Sequence, residues 1–190
     1  MGTCLADMLY AEAGLAGIRL LEREGVKVIY PRDQTCCGQP AFNSGFQEEA
    51  LEVALHQINC FPKAYPIVVP SGSCGAMMVR HYPELFEGHP LEQKAIEFSS
   101  RIFELSEFLH HVLKISLKDR GVPVKVTWHT SCHAKRELGL EDEAKQLVTQ
   151  LENVELKELE REDECCGFGG TFSVKQPMIS GEMDLDKCSE

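Results

Sequence analysis

The sequence contains Cys36-Cys37-Gly38-Gln39-Pro40 and, in its second half, Cys165-Cys166-Gly167-Phe168-Gly169-Gly170. A single cysteine precedes each pair at nearly the same distance, since 31 residues separate Cys4 from Cys36 and 32 separate Cys132 from Cys165. A fourth cysteine, Cys74, follows the first pair. Recurrence of one spacing within one chain indicates a duplicated structural unit.

The expected secondary structure repeats together with the cysteines. In the first half, a helical pattern over 5–24 leads to a β-rich run over 26–30, and a buried strand is predicted at 67–69. In the second half, a strand at 124–128 is followed by a helix over 141–152 and a strand over 154–159. The sequence therefore predicts an α/β fold of two pseudo-symmetric βαβ-type repeats with mainly parallel sheets.

The same symmetry predicts how the chain divides. We expect a first repeat at 1–88, a helical connector at 89–121 and a second repeat at 122–190. The predicted counterpart of Cys74 would fall beyond residue 190, and only three residues precede Cys4, whereas a strand precedes both Cys74 and Cys132. The second repeat is thus expected to be incomplete and the chain to be shortened at both ends.

Adjacent cysteines do not easily form a disulfide with each other, because the ring so closed strains the peptide and the disulfide torsion. They can instead donate two thiolates to a metal centre that contains more than one iron. Loops that follow parallel strands meet at the carboxyl edge of a sheet, where open α/β folds bind their ligands. We expect thiolates from Cys4, Cys36, Cys37 and Cys74 at one such point, and from Cys132, Cys165 and Cys166 at a second, three-cysteine one.

Two other interpretations of these cysteines remain open. They could be inert buried thiols, because free cysteine is among the most buried residue types. They could also hold zinc, although zinc sites typically use closely spaced Cys-x-x-Cys pairs and the chain has none.

The cysteine segments resemble the cysteine-rich CCG-domain family of iron–sulfur oxidoreductases, which includes the CCG-containing component of heterodisulfide reductase and the lactate-utilization protein A group. The resemblance covers nearly the whole chain and is carried by five segments, 3–8, 36–40, 70–75, 129–133 and 165–172. Their residues are more similar to the lactate-utilization group. This resemblance implies a 4Fe-4S type cluster and an electron-transfer role in a complex that oxidises L-lactate to pyruvate together with other iron–sulfur subunits.

The resemblance leaves two alternative functions open. The reductase component closes each repeat with Cys-x-x-Cys, whereas this chain has Ser71 and Met77 on either side of Cys74. An open coordination position there would suit a heterodisulfide or thiol–disulfide reductase. A chain without a cluster could instead be a structural binding subunit, because an incomplete sheet leaves an unpaired strand edge.

Cysteines and histidines outside the repeated pattern receive simpler interpretations. Cys60 is expected to be a packing residue and Cys188 an exposed bystander thiol. His129 and His133 flank Cys132, so they could tune a cluster or replace a ligand, although polar loop residues are the simpler explanation.

Composition narrows the possible partners and location. A net charge of −11 has the wrong sign for a nucleic-acid-binding protein. The sequence has no apolar run long enough for a membrane span and no signal-peptide pattern at its start, so a cytoplasmic protein is expected. No residue stands out as a general base for lactate, and we do not expect this chain to be catalytically active alone.

Overall fold

A computed structural model describes residues 1–118 and 121–189. Its strands are β1 Ile67–Val69, β2 Ile102–Glu104, β3 Val124–Thr127 and β4 Val154–Lys157. Its α-helices are α1 Cys4–Leu9, α2 Ala11–Arg23, α3 Gln39–Phe42, α4 Gln47–Cys60, α5 Gly72–Ala76, α6 Tyr82–Leu85, α7 Glu92–Ser99, α8 Leu105–Glu107, α9 Glu143–Val148, α10 Thr171–Lys175 and α11 Pro177–Cys188. Three π-helical segments occupy Met77–His81, Phe108–Val112 and Ala134–Leu138.

Each half contains a two-stranded parallel sheet. In the first half β1 pairs with β2, and Ile67 lies opposite Ile102. In the second half β3 pairs with β4, and Val124 lies opposite Val154. Both connections run through helices, as parallel pairing requires. The predicted α/β fold with parallel sheets and two related repeats is confirmed.

The larger hydrophobic core lies in the first half. Tyr82, Phe86 and Phe98 are almost completely buried there, together with Val69 of β1. The Tyr82 and Phe98 rings stack with their centroids 5.8 Å apart. Cys37 and Cys74 belong to the same core, which therefore supports the amino-terminal cysteine loops.

Strand β2 has no clear signal in the sequence. It has only three residues, and one of them, Glu104, also serves as the N-cap of α8 through a capping box with Glu107. It also lacks the flanking prolines, Pro66 and Pro70, that bound the predicted strand at 67–69. Its extended state depends on pairing with β1.

The helix predicted over 5–24 is interrupted. Tyr10, with φ −134° and ψ 43°, ends α1 and precedes α2. The break lets α1 carry Cys4 while α2 directs Leu21 into a second core cluster with Phe108 and Leu109. The prediction of one continuous helix is wrong at this residue.

Two further local features also differ from what the sequence indicates. Residues 26–30 belong to no helix and to no strand ladder. Ser44 and Gln47 have the spacing of a capping box at the start of α4, but the helix is capped by Phe46 without a side-chain hydrogen bond. The Ser44 hydroxyl instead accepts a hydrogen bond from Lys175 Nζ at 3.0 Å.

The two halves contact each other where α5 meets the segment Ala134–Leu138. Arg80 Nε donates to the Glu137 carbonyl at 2.7 Å, and His81 Nε2 lies 3.0 Å from Glu137 Oε2. The cysteine loops of both halves are therefore parts of one packed body.

The division into 1–88, 89–121 and 122–190 stays a prediction. Residues 119–120 of that connector and residue 190 of the second repeat lie outside the described residues. In the part of the chain that the structure describes, no helix has the length and apolar character needed to cross a membrane.

Candidate metal centre

The first Cys-Cys-Gly loop lies between residues 26–30 and α3. Gly38 has φ +86°, a conformation that glycine adopts without strain, and its N–H points to Cys36 Sγ at 3.5 Å. Cys37 is only 2% exposed, and its carbonyl accepts a hydrogen bond from the buried Tyr82 hydroxyl. The loop is therefore held by two contacts, one from the Gly38 N–H to Cys36 and one from the Tyr82 hydroxyl to the Cys37 carbonyl.

Two helix starts bring the other cysteines of the first half to this loop. Cys4 begins α1, and the Thr3 hydroxyl caps this helix by accepting a hydrogen bond from the Ala6 N–H. The Sγ atom of Cys4 lies 3.7 Å from Cys36 Sγ. Cys74 lies in α5, and the thiol of Cys37 is hydrogen-bonded to both Cys36 and Cys74. The structure therefore places Cys4, Cys36, Cys37 and Cys74 together, and their role as ligands stays a prediction.

The pKa values of the four thiols are shifted in different directions. The hydrogen bond from the Cys37 thiol lowers the pKa of Cys36 to about 5 and also lowers the pKa of Cys74. The same contacts raise the pKa of Cys37, while burial and the nearby Cys36 raise the pKa of Cys4 to about 11. Because metals bind thiolates, the lowered pKa values bring Cys36 and Cys74 closer to the form that a metal takes up.

The second Cys-Cys-Gly loop repeats the local geometry of the first. Gly167 has φ +80°, and its N–H points to Cys165 Sγ at 3.4 Å. Cys132 is hydrogen-bonded to Cys165, and burial followed by the charges of Cys165 and Cys166 raises the pKa of Cys132. All three cysteines of the second predicted site thus lie near each other.

Exposure distinguishes the two groups of thiols. In the first group Cys37 and Cys74 are buried, whereas in the second Cys165 is exposed and Cys132 and Cys166 are half-buried. Thiolate clusters are tuned by burial and by hydrogen bonds to sulfur. The first group offers the more enclosed environment.

Thiolates are ligands for zinc and for iron–sulfur clusters, so the donor chemistry of both groups fits such a centre. Within residues 1–118 and 121–189, however, no three histidine, cysteine or carboxylate side chains are arranged to hold a metal ion as they stand. The thiols of the first group are hydrogen-bonded to one another. Binding a metal would replace these hydrogen bonds with metal–sulfur bonds.

Cys60 and Cys188 lie apart from both groups. Cys60 Sγ donates to the Asp33 carbonyl at 3.3 Å and lies 3.5 Å from His56 Nε2. Cys188 is exposed, as expected, and contacts Asp184 at 3.9 Å. Neither thiol takes part in the hydrogen bonds of the repeated cysteines described above.

His133, a candidate replacement ligand on sequence grounds, faces a carboxylate. Its Nε2 lies 3.6 Å from Glu137 Oε1, and the same carboxylate also contacts His81. His133 and Glu137 both belong to the second half, and it is Glu137 that contacts His81 of the first half.

Two residues support the site in ways that the sequence motifs do not indicate. Tyr82 lies 45 positions after Cys37 and no motif connects them. Ser71 caps α5 by accepting a hydrogen bond from the Cys74 N–H at 3.5 Å, and it also helps to lower the pKa of Cys74. A serine just before a short helical segment is an N-cap pattern, so the capping role of Ser71 could be predicted from the sequence.

Comparison with known proteins agrees with this arrangement. The CCG family, described as a cysteine-rich domain, matches residues 2–79 and 126–190. Lactate utilization protein A of Geobacillus kaustophilus is 45% identical over 186 residues, which cover 97% of this chain and 77% of that protein. The proteins of the same name from Halalkalibacterium halodurans and Oceanobacillus iheyensis are 44% and 41% identical, and each alignment covers 97% of this chain and 76% of the relative. The predicted resemblance is confirmed, and the chain belongs to the cysteine-rich CCG family and, within it, to the family of the lactate utilization A proteins.

Proposed function

We propose that this chain is an iron–sulfur electron-transfer component of a cytoplasmic system that oxidises L-lactate to pyruvate. The observation that carries the proposal is the gathering of Cys4, Cys36, Cys37 and Cys74 from three separate segments around one loop. The names of the relatives support the lactate-utilization part.

In this proposal the four thiolates of the first half hold a 4Fe-4S type cluster, and Cys132, Cys165 and Cys166 contribute to a second, more exposed one. Such a cluster, when bound, supplies a one-electron carrier. The burial of Cys37 and Cys74 keeps water away from part of the site, and the Gly38 N–H stabilises negative charge on Cys36.

Oxidation of one lactate to pyruvate releases two electrons and two protons. We assign the abstraction of these protons to a partner protein, and onward electron transfer to other iron–sulfur subunits. The role of this chain is to accept and pass on electrons at a site whose sulfur atoms its own backbone and Tyr82 hold in place.

The decisive experiment is anaerobic purification of the chain with iron and acid-labile sulfide analysis, visible absorption and electron paramagnetic resonance. We expect iron and sulfide in the native protein and, in Cys37→Ser, loss of the iron and sulfide that the first group of thiolates holds. Cys60→Ser and Cys188→Ser are matched controls, because both thiols lie outside the repeated pattern, and they should retain both elements.

Three results would contradict the proposal. Absence of iron after anaerobic reconstitution would leave a cluster-free component. Zinc bound without sulfide would identify a structural zinc site. Iron and sulfide contents that are undiminished in Cys37→Ser would place the centre elsewhere. A cluster that lactate reduces when the partner proteins are added would support the lactate assignment over a heterodisulfide one.

A further inference from the structure

A fully buried side chain beside the first group of thiols has an unused hydrogen-bond donor. Gln57 is 0% exposed, and its Oε1 accepts a hydrogen bond from the Thr35 N–H at 2.9 Å. Its Nε2 is also buried and has no hydrogen-bond partner among the residues that the structure describes. Because the Thr35 N–H can only donate, it requires the carboxamide oxygen, and the amide nitrogen of Gln57 remains available for another acceptor.

Helix α4, which carries Gln57, lies along the segment that leads into the first Cys-Cys-Gly loop. Near the end of the helix, His56 Nε2 lies 2.8 Å from the Asp33 carbonyl. Nearer its start, a Cβ at Gly38 would lie 3.3 Å from the Ala50 carbonyl. The segment between these two contacts contains both cysteines of the loop, and Gln57 binds the residue that directly precedes them.

The surroundings of Gln57 are apolar. Its neighbours on α4, Ala54 and Ile58, are buried in the same hydrophobic cluster as Cys37. A buried N–H without an acceptor is unfavourable, and such groups are uncommon in folded proteins. The free donor of Gln57 therefore indicates that an acceptor belongs at this place.

Binding of a metal changes what the loop requires from its surroundings. The thiols of Cys36 and Cys37 are hydrogen-bonded to each other, and both would lose their protons on becoming metal ligands. Hydrogen bonds to ligand sulfur favour the reduced state of an iron–sulfur centre, because that state carries more negative charge. The Gly38 N–H already contacts Cys36 Sγ at 3.5 Å, and a second donor would act in the same direction.

We propose that the carboxamide N–H of Gln57 donates a hydrogen bond to a sulfur atom of the centre that the first group of thiolates holds, and thereby raises its reduction potential. The oxygen of the same side chain holds the segment before Cys36. This inference rests on the proposed function in one respect, namely that the first group binds an iron–sulfur centre.

The test is a redox titration of the anaerobically reconstituted chain in alkaline buffer, followed by electron paramagnetic resonance. The signal that Cys37→Ser abolishes identifies the centre of the first group. Gln57→Glu keeps an oxygen for the Thr35 N–H but removes the amide donor, whereas Gln57→Met removes both without adding charge. We expect each variant to lower the equilibrium constant for reduction at least tenfold, which corresponds to about 59 mV for one electron.

Gln47→Glu is the matched control, because Gln47 is exposed at the start of the same helix and the change adds the same charge. It should leave the reduction potential unchanged. A second measurement does not depend on the folding of a variant. Electron–nuclear double resonance of the native chain, isotopically labelled at its glutamine carboxamide nitrogens, should show a coupling between the first centre and a glutamine nitrogen.

A native reduction potential in Gln57→Met or Gln57→Glu would overturn the proposal, and so would an equal decrease in Gln47→Glu. Absence of the glutamine coupling in the native chain, or its persistence in Gln57→Met, would also contradict it. These results would leave the iron–sulfur centre itself in place. Failure of the proposed function is a separate result, because the native chain would then hold no iron or sulfide, and Gln57 would have no such acceptor.

Discussion

The hydroxyl of Tyr82 donates a hydrogen bond to the backbone carbonyl of Cys37 at 2.9 Å, and both residues are buried. Burial, followed by the charges of Cys37, Cys36 and Cys74, raises the pKa of this phenol well above its usual value. Tyr82 therefore remains a hydrogen-bond donor at any physiological pH. It connects the aromatic core of the first half to the loop that carries two candidate ligands.

Tyr82→Phe should destabilise the protein by about 1–2 kcal/mol, because it leaves a buried carbonyl without its donor. Urea denaturation of the metal-free protein measures this change. Tyr10→Phe is the control, since the Tyr10 side chain is 67% exposed, and it should alter stability by less than about 0.5 kcal/mol. Equal stability of Tyr82→Phe and the native protein would show that the bond is unimportant.

The thiol of Cys36 should react selectively with iodoacetamide in mildly acid solution. Its pKa is lowered from 9.0 to about 5, mainly by the hydrogen bond from the Cys37 thiol. At pH 6 most of Cys36 is thiolate, whereas an ordinary thiol is about one part in a thousand thiolate. A thiolate of low pKa is intrinsically less nucleophilic by roughly 60-fold, which leaves a net advantage of about tenfold.

This advantage should disappear near pH 8, where ordinary thiols ionise appreciably and their greater nucleophilicity dominates. Peptide mapping of the metal-free, reduced protein after brief labelling measures the order of modification. Cys60 is the internal comparison because burial raises its pKa, so it should be labelled later at pH 6. Labelling of Cys60 before Cys36 at pH 6 would contradict the assigned thiolate.

The grouping of the cysteines was predictable because it depends on a repeated local pattern. Cys36 and Cys165 each occupy a Cys-Cys-Gly loop, and in each loop the glycine N–H contacts the first sulfur. The separation of Cys60 from the group was predictable from its lack of a repeat partner. These features follow from the repeated spacing of the cysteines along the chain.

Features that depend on distant neighbours were not predictable. β2 is a strand because Ile102 and Glu104 pair with β1, whose residues lie far earlier in the chain. Residues 26–30 have strand-like composition, yet they belong to no strand ladder. Tyr82 acquires its role only when the core brings it to Cys37. In each case tertiary contacts outweigh intrinsic propensity.

Gly72 makes a very close approach between the two halves. A Cβ atom at this position would lie 2.7 Å from both Ala134 Cβ and Ser131 Oγ, and 3.1 Å from the Ala134 backbone nitrogen. These are short side chains and backbone that have little freedom to move aside. The contact therefore requires the absence of a side chain at Gly72.

Gly72→Ala should destabilise the protein by about 1–3 kcal/mol by forcing α5 away from the segment Ala134–Leu138. Gly181→Ala is the matched control, since a Cβ there meets nothing within 4 Å in the exposed part of α11. That change should stabilise the protein by about 0.5–1 kcal/mol, because alanine is the better helix former. Urea denaturation followed by circular dichroism distinguishes the two. If both variants shift stability in the same direction, the close contact between the halves does not determine the effect of Gly72→Ala.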